Sequence, residues 1–224
     1  MMVFPSGLRG ETMYVARMLG ALTACALCTC LIACSQTELR RGVGTASPEP
    51  SAVFTPLGDT TLCEVVTTKQ LEEVVSLQAA QYSYWHQLDD RGVEYSRFQC
   101  EVHGREFGQT GQSTLLISYK PSGYLEAVGS GQFTELDGRG YRSLDLQGLE
   151  GRGYVWLGAA AHDVHAAWLY PDNHVLDVRL FNHDAPSRTY KDDMLPEMSE
   201  LARILVSAVP SVAARPTQEF TSAP

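Results

Sequence analysis

The chain has 224 residues, 44% apolar and 19% charged, with 17 basic against 26 acidic side chains and a net charge of −9. That composition excludes collagen, long coiled coils, multi-span membrane proteins and wholly disordered chains, and the length suits one domain or two at most. The acidic balance, with its Arg residues scattered rather than clustered, also speaks against nucleic acid as a partner, because such binders carry a basic stripe.

The first 34 residues carry an address. Met18 to Ala33 is a run of 16 residues without a charge, directly after Arg17. A basic residue, an apolar run and small residues at its end make a secretory signal, and this run falls short of the roughly 20 residues that span a bilayer. Translation from Met13 gives a more compact basic region than translation from Met1. Two tetrapeptides resemble the lipobox of bacterial lipoproteins: Leu22-Thr23-Ala24-Cys25 and Leu31-Ile32-Ala33-Cys34. Cleavage before Cys34 uses the whole apolar run and releases polar Ser35-Gln36-Thr37-Glu38, whereas cleavage before Cys25 leaves an apolar stretch exposed. Residues 1–33 are therefore expected to be a signal peptide, with lipidation at Cys34; the alternative is an uncleaved signal anchor. The resemblance implies two or three acyl chains of the palmitate kind, which hold firmly at about 0.8 kcal/mol per buried CH₂. The expected location is the outer face of the cytoplasmic membrane.

The six cysteines stand at 25, 28, 30, 34, 63 and 100. The first three fall in the discarded signal and Cys34 bears the lipid. Cys63 and Cys100 remain, and an even pair in an exported domain is read as a disulfide. The alternative, a nucleophilic Cys with a His partner, strands the second thiol.

Beyond Cys34, residues 34–57 read as a flexible tether: Ser35 to Leu57 holds three Pro, two Gly and six Ser or Thr. A single domain is expected over 58–213, and a disordered tail over 214–224. Thr67-Thr68-Lys69-Gln70 is suited to cap a helix whose apolar face is Leu71, Val74 and Val75. Phe98, Cys100 and Val102 alternate with polar residues as a strand does, with Cys100 facing inward. Thr114 to Tyr119 is a second strand. Ala166–Tyr170 and His174–Phe181 flank the turn Pro171-Asp172-Asn173 as a hairpin. Gly-Arg-Gly-Tyr, at 138–141 and again at 151–154, reads as two paired turns. Leu195, Met198, Leu201, Ala202, Leu205 and Val209 recur at helical spacing, with Asp193 and Pro196 at the start and Pro210 as a stop. The sum is an α+β fold, an antiparallel sheet covered by at least two helices.

In that order, Leu62-Cys63-Glu64-Val65-Val66-Thr67 leads into a helix, Phe98-Gln99-Cys100 lies on a strand, and a Gly-rich turn, a hairpin and a terminal amphipathic helix follow. With the lipobox in front, residues 59 to 213 resemble the actinobacterial lipoproteins grouped as domain-of-unknown-function family 3558. The resemblance brings no catalytic residue with it.

Candidate chemistry is sparse. His162, His165, His174 and His183 are the sharpest polar cluster, but the strand pattern separates i from i+3 onto opposite faces, so surface and rim positions are expected and no metal site. Glu72-Glu73, Asp89-Asp90 and Asp192-Asp193 are carboxylate pairs of the kind hydrolases use, though adjacent carboxylates usually form solvated faces. Nucleophile and dinucleotide motifs are missing, so no catalytic residue and no cofactor is expected. Tyr82, Tyr84 and Trp85 form an aromatic knot before the Asp89-Asp90-Arg91-Gly92 turn, a possible ligand platform. The expected function is a non-catalytic binding or interaction module on a lipid anchor, its partner an envelope protein or a small ligand. The alternative is a cell-envelope hydrolase using a carboxylate pair.

Overall fold

A computed structural model describes residues 54–109, 111–125, 131–183 and 189–223. Short strands β1 (Thr61–Leu62) and β2 (Val66–Thr67) pair across a turn in which Cys63 and Glu64 both adopt positive φ, 50° and 62°. Helix α1 (Thr68–Val75) follows at once. Its N-terminus is a reciprocal cap: the Gln70 amide donates to Thr67 Oγ1 (3.1 Å) and the Thr67 amide donates to Gln70 Oε1 (2.9 Å). Leu71 and Val75 are buried on the face the sequence marks.

Strands β3 (Leu77–Asp89), β4 (Gly92–Glu106) and β5 (Ser113–Lys120) form a meander. A small hairpin, β6 (Tyr124–Leu125) with β7 (Gly131–Gln132), then leads into a 3-10 turn at Phe133–Leu136. Next come β8 (Arg142–Leu144), β9 (Arg152–Leu157), β10 (Asp163–Leu169) and β11 (Val175–Asn182), then α2 (Met194–Ala213) and β12 (Gln218–Ala223). Eight strands form one antiparallel sheet in the order β12-β3-β4-β5-β11-β10-β9-β8.

Alternation decides which face is which. Phe98, Cys100 and Val102 of β4, Leu115 and Ile117 of β5, and Val178 and Leu180 of β11 are all fully buried. They share one core with Leu71 and Val75 of α1 and with Met198, Leu201, Leu205 and Val209 of α2. Both helices thus pack on the same side. The protein is mostly β, and helices cover one face of its sheet rather than enclosing it. On the opposite face a smaller core of Leu125, Phe133, Leu136, Trp156, Ala167 and Val175 is roofed by the β6–β7 excursion.

Four local expectations need correction. First, α2 does not stop at Pro210 but runs through it to Ala213. Proline lacks the N–H that would bond the carbonyl of Val206, and the Tyr170 hydroxyl donates to that carbonyl instead (2.9 Å). Second, residues 214–224 hold a strand, not only a disordered tail. β12 pairs with β3 (Thr221 opposite Tyr84, Ala223 opposite Tyr82), and Arg215 forms an ion pair with Glu64 ahead of it. Third, of the two Gly-Arg-Gly-Tyr copies only the first is a turn, with Gly138 and Gly140 at φ 77° and 73°. The second opens β9, where a Cβ on Gly153 would meet the Ala167 carbonyl oxygen at 2.4 Å. Fourth, the end of the expected tether is part of the domain: the Leu57 amide donates to the Ala79 carbonyl (2.7 Å) and its side chain packs on the main core. The expected signal and Cys34 lie outside the described residues.

Candidate functional site

The half of the helix-free face formed by β3, β4 and β5 starts from an irregularity. Ala79 pairs with Gly104 and Gln81 with His103, so Ala80 is an extra residue, a bulge. Glycine is required opposite it, because a Cβ on Gly104 would stand 2.2 Å from the Gln78 carbonyl oxygen. The bend opens a groove of about 640 Å³ between the sheet and the incoming segment 54–57. Its apolar walls are Phe54, Pro56, Leu57 and Ala80; Gln81, His103, Arg105 and Gln112 supply the polar groups. The Arg105 guanidinium lies over the Phe54 ring, 4.6 Å from its centroid.

One wall of the groove belongs to a hydrogen-bonded chain across three strands. Glu101 Oε1 meets His103 Nε2 (3.1 Å), His103 Nδ1 meets Thr114 Oγ1 (2.9 Å), and Thr114 Oγ1 meets His183 Nε2 (2.7 Å). A carboxylate, an imidazole and a hydroxyl in sequence resemble a nucleophile assembly, but Thr114 is fully buried. Its hydroxyl, with one proton to give, faces a ring on either side, so the chain fixes ring orientation rather than presenting an attacking oxygen.

The four candidate histidines do not converge. His165 and His174 are buried rather than surface or rim residues. His165 stacks on Trp156 (centroids 5.0 Å apart) and its Nε2 reaches Asp163 Oδ2 (3.1 Å). Asp163 also takes Arg179 Nη2 (2.7 Å); the His165 hydrogen bond first, and the Arg179 charge after it, hold this carboxyl below the usual range. His174 stacks on Tyr119 at 4.4 Å, with Nδ1 3.0 Å from Asp172 Oδ2 and Nε2 3.2 Å from the Ser96 carbonyl. His183 belongs to the Thr114 chain. Among the described residues no group of three or more His, Cys, Asp or Glu is placed to hold a metal ion.

The aromatic platform does not assemble either. Tyr82, Tyr84 and Trp85 all lie on β3, where successive side chains alternate. Tyr82 and Tyr84 stack (6.2 Å) on the helix side and pack against the main core, which leaves Trp85 on the other face. The Tyr84 hydroxyl donates to Glu64 Oε1 (2.8 Å); burial first, and that carboxylate second, push the phenol up to about 12. The carboxylate pairs stand apart from the groove: Glu72, Glu73, Asp90, Asp192 and Asp193 are exposed, and Asp89 is chelated by Arg91, which holds it down to about 2.

Cys63 and Cys100 are joined as a disulfide with Cα atoms 6.0 Å apart, and both are fully buried. Two features had no counterpart in the sequence reading. One is the set of groove residues Phe54, Gln81, Arg105 and Gln112. The other is Glu106, buried at 1% exposure, whose Oε1 accepts from Ser113 Oγ and from the Tyr190 hydroxyl, both at 2.7 Å. A charged residue at an inward position of the β4 alternation is the signal that could have found it.

His86 gives this region a pH dependence. It is 3% exposed and its Nδ1 has no hydrogen-bond partner among the described residues. Burial lowers its pKa below 6.5; the Glu64 carboxylate opposes this and the Arg215 charge adds to it, both to a smaller extent. The unfolded chain therefore takes a proton near pH 6.5 that the folded chain refuses. Stability from this group is complete above that pH and declines as pH falls below it toward the folded value. Urea midpoints should drop more steeply from pH 7 to 5.5 in the native chain than in His86→Phe; parallel curves would remove His86 as the cause.

Against known proteins, the chain matches no family model, no curated sequence and no solved structure.

Proposed function

We propose that the chain is a membrane-anchored lipoprotein, lipidated at Cys34 and held at the outer face of the cytoplasmic membrane. Its domain is a non-catalytic binding module that takes a ligand in the groove over the β3 bulge. Membership of the lipoprotein family that residues 59–213 resemble is part of this proposal. The groove is the observation that carries it. Its volume of about 640 Å³ lies within the range of small-ligand sites, and apolar walls with a few convergent polar groups are their usual lining. Among the described residues no carboxylate lines it, and the one hydroxyl chained to its histidine is buried, which favours binding over the hydrolase reading. Among the described residues no helix is long and apolar enough to cross a membrane.

Two measurements test the proposal. Mass spectrometry of the mature chain is expected to find acylated Cys34 at the N-terminus, and Cys34→Ala should leave the chain unprocessed or released. An unacylated N-terminus at Ser35, or a chain starting at Met13, overturns the anchor. In native mass spectrometry, Ala80→Trp should strip any small molecule that the native domain retains from envelope extracts; undiminished retention with the groove filled overturns the site.

A further inference from the structure

Among the described residues, Arg105 stands apart from the other arginines of this acidic chain. Arg91, Arg152, Arg179, Arg203 and Arg215 each face a carboxylate: Asp89, Asp137, Asp163, Glu200 and Glu64 in turn. Arg97, whose charge acts on Asp89, Arg139, which donates to the Glu135 carbonyl, and Arg142 are exposed, so water solvates them. Arg105 is half-buried in the groove wall, its Nε is cut off from water, and among the described residues its side chain has neither a hydrogen bond nor a carboxylate. Its one contact of note is the Phe54 ring, whose centroid lies 4.6 Å from the guanidinium carbon. A half-buried guanidinium without a counter-charge is costly, so the site is incomplete as it stands.

The surroundings define what would complete it. Glu101, on the same face of the strand, is engaged by His103 (3.1 Å). Glu106 points the other way, into its own network with Ser113 and Tyr190. Gln81 and Gln112, at the groove mouth, have side-chain amides with no partner among the described residues, so they can donate to a ligand oxygen. Opposite these polar groups the walls are Phe54, Pro56 and Leu57.

We infer that the groove is a receptor for a small amphipathic anion, its carboxylate, sulfonate or phosphate group on the Arg105 guanidinium and its apolar body against Phe54 and Leu57. A planar guanidinium matches such oxyanions with paired hydrogen bonds, which neither water nor an uncharged apolar ligand can reproduce as well. This rests on the proposal that the groove is the binding site, and it adds the ligand's class.

The test uses the full chain in phosphatidylcholine nanodiscs, with empty discs as the baseline, and equilibrium dialysis of two isosteric probes. These are 2-naphthalenesulfonate and its uncharged counterpart 2-naphthalenesulfonamide. The sulfonate is expected to bind at least tenfold more tightly, with an affinity that falls as salt rises. Arg105→Gln should weaken the sulfonate far more than the sulfonamide and so remove that preference, and Arg105→Lys should restore part of it. Ala80→Trp should abolish binding of both. Equal binding of the two probes, unchanged in Arg105→Gln, overturns the anion while leaving the groove as a binding site. Binding of neither probe, or binding that survives Ala80→Trp, overturns the groove itself.

Discussion

Replacing Cys63 and Cys100 together by Ser is expected to lower the free energy of unfolding by about 2–5 kcal/mol, the usual range for removing a native disulfide from a small domain. The bond spans 37 residues, and in the chain-entropy view closing a loop of that length constrains the unfolded chain by about 4 kcal/mol. That loop holds α1, all of β3 and most of β4. It ties the left-handed turn at Cys63 to the middle of β4, so the bond joins the helix layer to the sheet. Both cysteines are fully buried, so the serines add two hydroxyls with no solvent to satisfy them. Secondary structure should persist, because the β4–β5 and β10–β11 ladders do not involve the bond. Urea unfolding of the oxidised and doubly substituted chains gives the difference. Two titratable thiols at 63 and 100 in the purified native chain would sink the prediction.

Glu106→Ala should cost about 3–5 kcal/mol, because it strands two buried hydroxyl donors at about 1–3 kcal/mol each and leaves a cavity. The Glu106 carboxylate sits at the end of β4 with two hydroxyl donors at 2.7 Å, Ser113 Oγ from β5 and Tyr190 from the segment before α2. Asn182 Nδ2, from the end of β11, donates onward to the same Ser113 Oγ (3.1 Å). Four separate pieces of chain are therefore held through one buried acceptor. Truncation leaves the Ser113 and Tyr190 hydroxyls without it and opens space beside a small pocket of about 280 Å³. Glu106→Gln keeps a carbonyl oxygen for the two donors and should cost only about 1–2 kcal/mol. Hydrogen exchange should accelerate first at residues 189–194, the piece held least by strand pairing. An alanine variant within about 1 kcal/mol of the native chain would show that the network contributes little.

What the sequence by itself determined is local. The Thr67–Gln70 cap, the inward alternation of β4, β5 and β11 and the repeat of α2 depend on residues a few positions apart, and each is in the structure. The cysteine pair was legible for a different reason: with Cys25, Cys28, Cys30 and Cys34 assigned to the expected signal and anchor, only Cys63 and Cys100 were left to pair. The tertiary structure alone decided the rest. Gln218–Ala223 has no apolar period; it is a strand because the edge of β3 offers unpaired backbone groups. Pro210 stays inside a helix because the Tyr170 hydroxyl, distant in sequence, satisfies the Val206 carbonyl that it leaves open. Tyr82, Tyr84 and Trp85 are neighbours in sequence and yet divided, because a strand sends successive side chains to opposite faces. The groove came from a one-residue bulge, a glycine that lets two strands approach, and an arginine whose isolation is visible only once the other charges are placed. Short-range periodicity is written along the chain, whereas partners brought together by long loops are chosen by the packing of the whole sheet.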